Sequence, residues 1–320
     1  VERHPLEKVL AEFKRYFGDL VIDLAASDQR FVDALLDAES NRLGAEFRQA
    51  LYHHTGGNPL FTIELLRDMQ ERGDIVSDKG GRWVVGPSLN WSRLPARIEG
   101  VIEERIGRLE DELREVLTLA SVEGEAFTAE VVARLQDMAV RDLIRRLSGE
   151  LDKRHHLVSS QGLRRLSSGQ RLALYQFQHN LFQTYLYGRL DEIERAVLHE
   201  DVGTVLEELY GDEADEIVVQ LAWHFVEADI PEKAVPYLRR SGELAAARYA
   251  NEEAAEYLSR ALDLTPRSDA SERYSLLRLR ERVYDMQGER EAQQRDQAAL
   301  EALAEALDDA DPLPAHSRRA

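Results

Sequence analysis

Two similar octapeptides in the second half of the chain decide its fold class: PEKAVPYL at residues 231–238 and NEEAAEYL at residues 251–258. They begin 20 residues apart, and a shorter copy, EREAQ at 289–293, begins 38 residues after the second. Alanines recur in them at positions where helices must approach closely. These repeats, with 32% charged residues and nine prolines among 320 residues, predict a mainly α-helical protein.

The composition excludes several classes of function. Sixty Asp and Glu against 41 Lys and Arg give a net charge of −19, which argues against a large nucleic-acid interface. The chain has no cysteine, so disulfides, thiolate zinc sites and cysteine nucleophiles are excluded. No window approaches the ~18 consecutive apolar residues that a membrane span needs. Because Val1 is not a start methionine and no leader follows it, we expect a cytoplasmic chain that has lost its natural N-terminus.

The first 190 residues divide into two predicted domains. Residues 1–73 show helical periodicity, beginning with a helix at 6–17, and glycines and a proline at residues 56–59 must interrupt it. Residues 74–190 contain two short strands around a glycine turn at 75–85, then a long helix behind Pro95. Short helices fit 128–136 and 139–152, and a second strand pair is predicted on either side of a turn at 159–171. Three helices followed by a β-hairpin is the order of a winged helix.

The remainder is predicted to be helical almost to the end. Residues 191–308 resemble tetratricopeptide (TPR) repeats, since Pro266 follows a helical ALDL segment as it does where one such repeat closes. Residues 309–320 are predicted to be a disordered tail. We expect residues 1–180 and 200–310 to fold as separate units.

Several catalytic motifs are absent from the sequence. There is no G-x-x-x-x-G-K-[S/T] loop, no G-x-G-x-x-G and no G-x-S-x-G, so this chain has no phosphate-cradling loop of its own. His199-Glu200 lacks the second histidine of a zinc-protease motif. The adjacent histidines 53 and 54 are interpreted as ordinary polar residues, because neighbouring helix positions point apart.

Two segments are more specific. The first is TGGNPLF at residues 55–61, and its purely structural interpretation is the end of a helix followed by a tight turn. The second is YQFQHN at residues 175–180, whose purely structural interpretation is a strand followed by a helix, with a core histidine at the junction. From the residues alone, the purely structural interpretation of each segment is favoured.

Taken together, the two segments resemble a known family. TGGNPLF with the following ELL, LPARI at 94–98 and ASVEGEAF at 120–127 are similar to the C-terminal portion of bacterial STAND-type signal-transduction ATPases. Such modules occur in LuxR-type large regulators and in adenylate cyclases that carry TPR arrays. The resemblance extends from about residue 2 to about residue 265. It implies a helical lid, a winged helix and a TPR-like superhelix, in that order.

The resemblance also implies site residues. In the family, a Gly-x-Pro turn packs its proline against adenine, which corresponds here to Gly57, Asn58 and Pro59. A histidine at the end of the winged helix meets the β-phosphate, and His179 occupies that place. Plant and apoptotic relatives have an aspartate after this histidine, whereas this chain has Asn180. The phosphate-binding loop, the Mg²⁺ ligand and the sensor arginine belong to an N-terminal ATPase core that this chain lacks. ATP or ADP with Mg²⁺ is therefore expected only in the complete protein, and the chain alone is not expected to hydrolyse ATP.

Three functions remain open from the sequence. The first is the regulatory portion of such an ATPase, with nucleotide held between the missing core and this chain, and with protein partners on the repeats. The alternative is a non-enzymatic TPR adaptor. The third is DNA binding through residues 140–153, which carry several arginines but also acidic residues, so nucleic acid is ranked well below protein as a partner.

Overall fold

The computed structural model describes residues 28–91 and 94–310, and these residues are mainly α-helical, as the sequence predicts. The helix predicted at residues 6–17 lies outside the described residues. The chain divides into two compact units, one containing residues 28–111 and 177–185 and the other containing residues 112–176 and 186–310. This division differs from the predicted boundary between residues 180 and 200.

The reason for the difference is a shared hydrophobic core. Val131 and Leu172, which precede the predicted boundary, pack in one buried cluster with Leu206, Leu221 and Phe225 of the later helices. Burial of apolar surface is the main favourable term in folding, so residues that share a core belong to one unit.

The first unit begins with helices and contains one small hairpin. Its elements are α1 (Gln29–Asp37), α2 (Ala45–Thr55), α3 (Pro59–Arg72), β1 (Ile75–Ser77), β2 (Trp83–Val85) and α4 (Ala96–Gly107). β1 and β2 pair antiparallel with Val76 opposite Val84. The Asp78 side chain accepts hydrogen bonds from the backbone N–H of Gly80 (2.7 Å) and of Arg82 (3.0 Å), which holds the turn. The predicted strand pair around a glycine turn is thus confirmed.

The second unit begins with short helices and a small sheet. Its first elements are α5 (Asp111–Glu123), β3 (Ala126–Thr128), α6 (Ala129–Leu135), α7 (Val140–Arg146), a π-helical segment (Leu147–Asp152), β4 (Val158–Arg165) and β5 (Arg171–Phe177). The strand order is β3-β5-β4, and β3 was not predicted from the sequence. The predicted turn at 159–171 is too long, because β4 continues to Arg165. As an edge strand, β4 has one side without a partner strand, so polar residues are tolerated there.

Helices form the rest of the second unit. They are α8 (Asn180–Arg189), whose first residues belong to the first unit, α9 (Glu192–Tyr210), a 3₁₀ segment (Gly211–Ile217), α10 (Val218–Glu227), α11 (Pro231–Ala247), α12 (Asn251–Leu264), α13 (Ala270–Gln287) and α14 (Arg290–Ala310). Helices α11 and α12 approach closely at Gly242, where a Cβ atom would lie 2.7 Å from Leu258 Cγ. Helix α14 continues to Ala310, two residues into the predicted tail. None of the helices described is both long enough and apolar enough to cross a membrane.

Candidate functional site

The TGGNPLF segment forms the turn between α2 and α3 in the first unit. Gly56 ends α2 with φ +58° and Gly57 follows with φ +73°, so both residues occupy the left-handed region that favours glycine. The Asn58 side chain then accepts hydrogen bonds from the N–H groups of Leu60 (3.0 Å) and Phe61 (3.2 Å), which makes it the N-cap of α3. Pro59 is the first residue of α3, a position that needs no N–H donor.

Two buried threonines stabilise the turn by hydrogen bonds. The Thr55 hydroxyl donates to the Leu51 carbonyl (2.8 Å) and accepts from the Gly57 N–H (3.3 Å). The Thr62 hydroxyl lies 3.0 Å from Thr55 Oγ1 and 2.8 Å from the Asn58 carbonyl oxygen. Both threonines are 0% exposed. These bonds fix both arms of the turn, so the position of Pro59 is set by buried groups.

His179 lies against this turn. A Cβ atom on Gly56 would be 2.5 Å from His179 Nδ1, so the imidazole touches the backbone where α2 ends. The ring also meets Phe61 edge-on, with centroids 5.3 Å apart, and lies 5.9 Å from the Phe182 ring at 24°. Pro59 is three residues from Gly56, so its Cα lies at most about 11 Å from that of Gly56. The structure therefore brings together two segments that are 120 residues apart in the sequence.

The imidazole of His179 is neutral at pH 7. Burial chiefly, and the nearby positive charge of Arg105, lower its pKa to about 4. Its Nδ1 atom is buried and has no hydrogen-bond partner among the described residues. Buried N–H groups without a partner are rarer in folded proteins than under-satisfied buried acceptors, so the tautomer with its proton on Nε2 fits this environment better. His179 can therefore act as a neutral hydrogen-bond donor through Nε2.

A second group of side chains beside the turn was missed from the sequence. His54 stacks on Trp91 with ring centroids 4.9 Å apart and planes 3° from parallel, and Trp91 also meets Phe47 at 5.1 Å. The Asn180 amide nitrogen lies 3.4 Å from His54 Nδ1. Burial chiefly, and neighbouring His53 to a smaller extent, lower the pKa of His54 to about 4. Nothing in the local sequence pairs Trp91 with His54, because the contact crosses 37 residues of chain.

A buried pair of histidines lies in the second unit. His199 and His224 are 0% exposed, and their Nδ1 atoms are 2.9 Å apart, so one of the two must carry the shared proton. The Tyr187 hydroxyl lies 2.9 Å from His199 Nε2, and the Trp223 ring lies 4.7 Å from each imidazole. Burial lowers the pKa of both histidines, most strongly that of His224. No group of three His, Cys, Asp or Glu side chains suited to a metal occurs among the residues described.

No protein-family model matches this chain, and no solved structure matches it. The chain is similar to an uncharacterised protein of Rhizobium meliloti (strain 1021), with 29% identity over 272 residues. The match covers 80% of this chain but 25% of that protein, so the chain spans about a quarter of its relative's length. The geometry of the turn and His179 is therefore the main guide to the function of this chain.

Proposed function

We propose that this chain is the regulatory portion of a STAND-type signalling ATPase, comprising a lid, a winged helix and a TPR-like array. The observation that carries the proposal is the contact between His179 and the turn that bears Gly57, Asn58 and Pro59. The order of the elements supports the proposal. Three helices are followed by the β4–β5 hairpin and then by consecutive packed helices, which is the order that such a module requires. The longer relative is consistent with further domains in the complete protein.

The residues of the turn fit an adenine nucleotide in the complete protein. Pro59 would offer its ring to the base, and the fixed N-cap at Asn58 would keep the ring in place. His179 would donate a hydrogen bond from Nε2 to a phosphate oxygen as a neutral group, so the contact would depend on position more than on charge. Bound ADP would supply charged phosphates between this chain and an ATPase core, and loss of the His179 contact would release the lid from the resting state.

The chain by itself is not proposed to hydrolyse ATP. Phosphoryl transfer depends on positioning and charge neutralisation by a phosphate-binding loop and Mg²⁺, and the sequence contains no such loop. DNA binding has less support than nucleotide sensing. Arg146 of α7 pairs with Glu112, and Arg145 pairs with Asp142 at 3.3 Å, so two arginines of the proposed recognition segment already have acidic partners.

The test uses the full-length product of the gene and measures the ADP that remains bound after purification. We expect His179→Ala and Pro59→Ala to lower the retained ADP and to shift the protein toward its active state. His53→Ala is the matched control, because this exposed histidine lies in the same unit on α2. Full retention of ADP in both site variants, or a full-length protein that binds no nucleotide, would contradict the proposal and favour the TPR adaptor.

A further inference from the structure

A cavity of about 590 Å³ opens in the helical array of the second unit. It is lined by the 3₁₀ segment, α10, α11 and the start of α12. Cavities of roughly 300–1,000 Å³ are the usual size of ligand sites, so this one can accept a side chain with part of its backbone. It lies far along the chain from the turn at residues 55–61 and has no part in the nucleotide proposal.

Two aromatic rings line the cavity. Trp223 is half-buried and packs against the neutral imidazoles of His199 and His224, while half-buried Tyr257 contributes a ring from α12. Among the described residues, no lysine or arginine lies over either ring. The electron-rich faces of Trp and Tyr attract cations, and no cationic side chain of the described residues competes with a ligand for these two rings.

One carboxylate in the lining remains for a cation supplied by a ligand. Asp215 and Glu216 line it but already pair with arginines, Asp215 with Arg240 and Glu216 with Arg164 at 2.5 Å. Glu253, also in the lining, is exposed and has no ion-pair partner among the described residues. Burial chiefly raises the pKa of the Tyr257 hydroxyl, and the negative charges of Glu253 and Glu256 raise it further.

The wider surface has the same sign of charge. Residues 191–310 carry 30 Asp and Glu against 13 Lys and Arg, a net charge of −17 out of the chain's −19. A cleft with a surplus of one sign raises the local concentration of ligands of the opposite sign. The one arginine in the lining, Arg248, is exposed and could donate to a backbone carbonyl of a bound peptide.

We propose that this cavity binds an arginine or lysine side chain of a basic peptide segment in a partner protein. The cationic group would lie over Trp223 and Tyr257 and pair with Glu253, and the peptide backbone would receive hydrogen bonds from Arg248. A fixed cavity with a free carboxylate beside two rings distinguishes this site from a merely acidic surface. The site stands whether or not the nucleotide proposal is correct.

The test titrates the purified chain with the peptide acetyl-Arg-Leu-Arg-Leu-amide and follows binding by calorimetry, with acetyl-Glu-Leu-Glu-Leu-amide as the probe of opposite charge. We expect only the basic peptide to bind, and we expect its affinity to fall as the NaCl concentration is raised. Glu253→Gln and Tyr257→Ala should each weaken binding about 5- to 30-fold, the range of a cation–π or ion-pair contact of about 1–2 kcal/mol. Glu252→Gln should leave binding unchanged, because this exposed neighbour is outside the lining.

Several outcomes would overturn the proposal. Equal binding of the two peptides, or no binding of either, would show that the cavity does not select a cation. An equal effect of Glu253→Gln and Glu252→Gln would show that general surface charge attracts the peptide. Circular dichroism of each variant checks that the helices are intact, so a loss of binding in a folded Tyr257→Ala protein reports on the ring itself.

Discussion

Replacement of Gly56 by alanine tests the contact on which the proposed function depends. Gly56 and Gly73 end consecutive helices, α2 and α3, and both have left-handed backbones, with φ +58° and φ +84°. Their surroundings differ. A Cβ atom on Gly73 would meet nothing within 4 Å, whereas one on Gly56 would lie 2.5 Å from His179 Nδ1. Gly73→Ala therefore measures backbone strain alone, and Gly56→Ala measures strain together with the displacement of His179.

The expected magnitudes follow from these two surroundings. Alanine in the left-handed region costs about 1–2 kcal/mol, which applies to both variants. At Gly56 the His179 ring must also move away from Phe61 and Phe182, and overpacking of this kind costs a further ~1–3 kcal/mol. We therefore expect Gly56→Ala to destabilise the first unit by about 2–5 kcal/mol and Gly73→Ala by about 1–2 kcal/mol.

Hydrogen exchange read by mass spectrometry is the suitable assay, because it reports the free energy of opening of each segment separately. Peptides that cover α2, α3 and the start of α8 should lose protection more in Gly56→Ala than in Gly73→Ala. The double variant Gly56→Ala with His179→Ala should recover the additional part, since removal of the ring makes room for the new methyl group. Equal losses in the two glycine variants, or no recovery in the double variant, would refute the contact.

Two further predictions concern the pH dependence of the second unit. Burial chiefly raises the pKa of Glu123 to about 7, although its carboxylate accepts hydrogen bonds from the Thr128 N–H (2.9 Å) and hydroxyl (2.7 Å). Because the folded state holds this proton more tightly than the unfolded state, the free energy of unfolding falls as pH rises from 4.5 through 7. Glu123→Gln, which can keep both contacts, should stabilise the unit by about 2–3 kcal/mol at pH 8 in urea unfolding, and an unchanged midpoint would contradict this. His199 and His224 have lowered pKa values, so the folded state binds fewer protons and stability falls as pH drops below 6.5. In the Glu123→Gln background we expect a loss of about 3 kcal/mol between pH 7.5 and 5.5, roughly halved by His224→Gln, and a flat profile would exclude the neutral pair.

The sequence alone was sufficient for several local elements, although it missed β3 and the full length of β4. Two adjacent glycines, an asparagine and a proline at residues 56–59 can form little else than a helix end followed by a capped helix start, because only glycine favours two successive left-handed residues. The hairpin at 75–85 and the helical second half follow in the same way from turn residues and apolar periodicity. In each case the signal lies within one or two turns of chain, and the backbone conformation is decided by neighbouring residues.

The tertiary structure decided which of these elements share a core and a site. The grouping of residues 112–176 with the later helices depends on a buried cluster that contains both Val131 and Leu206, and no local pattern encodes it. The stacking of His54 on Trp91, the pairing of His199 with His224 and the cavity beside Trp223 are of the same kind. His179 was identified from the sequence only through a family resemblance, and its place against Gly56 came from the fold. Contacts between distant residues arise when many weak packing terms are satisfied together, so the sequence defines the candidates and the folded chain selects the partners.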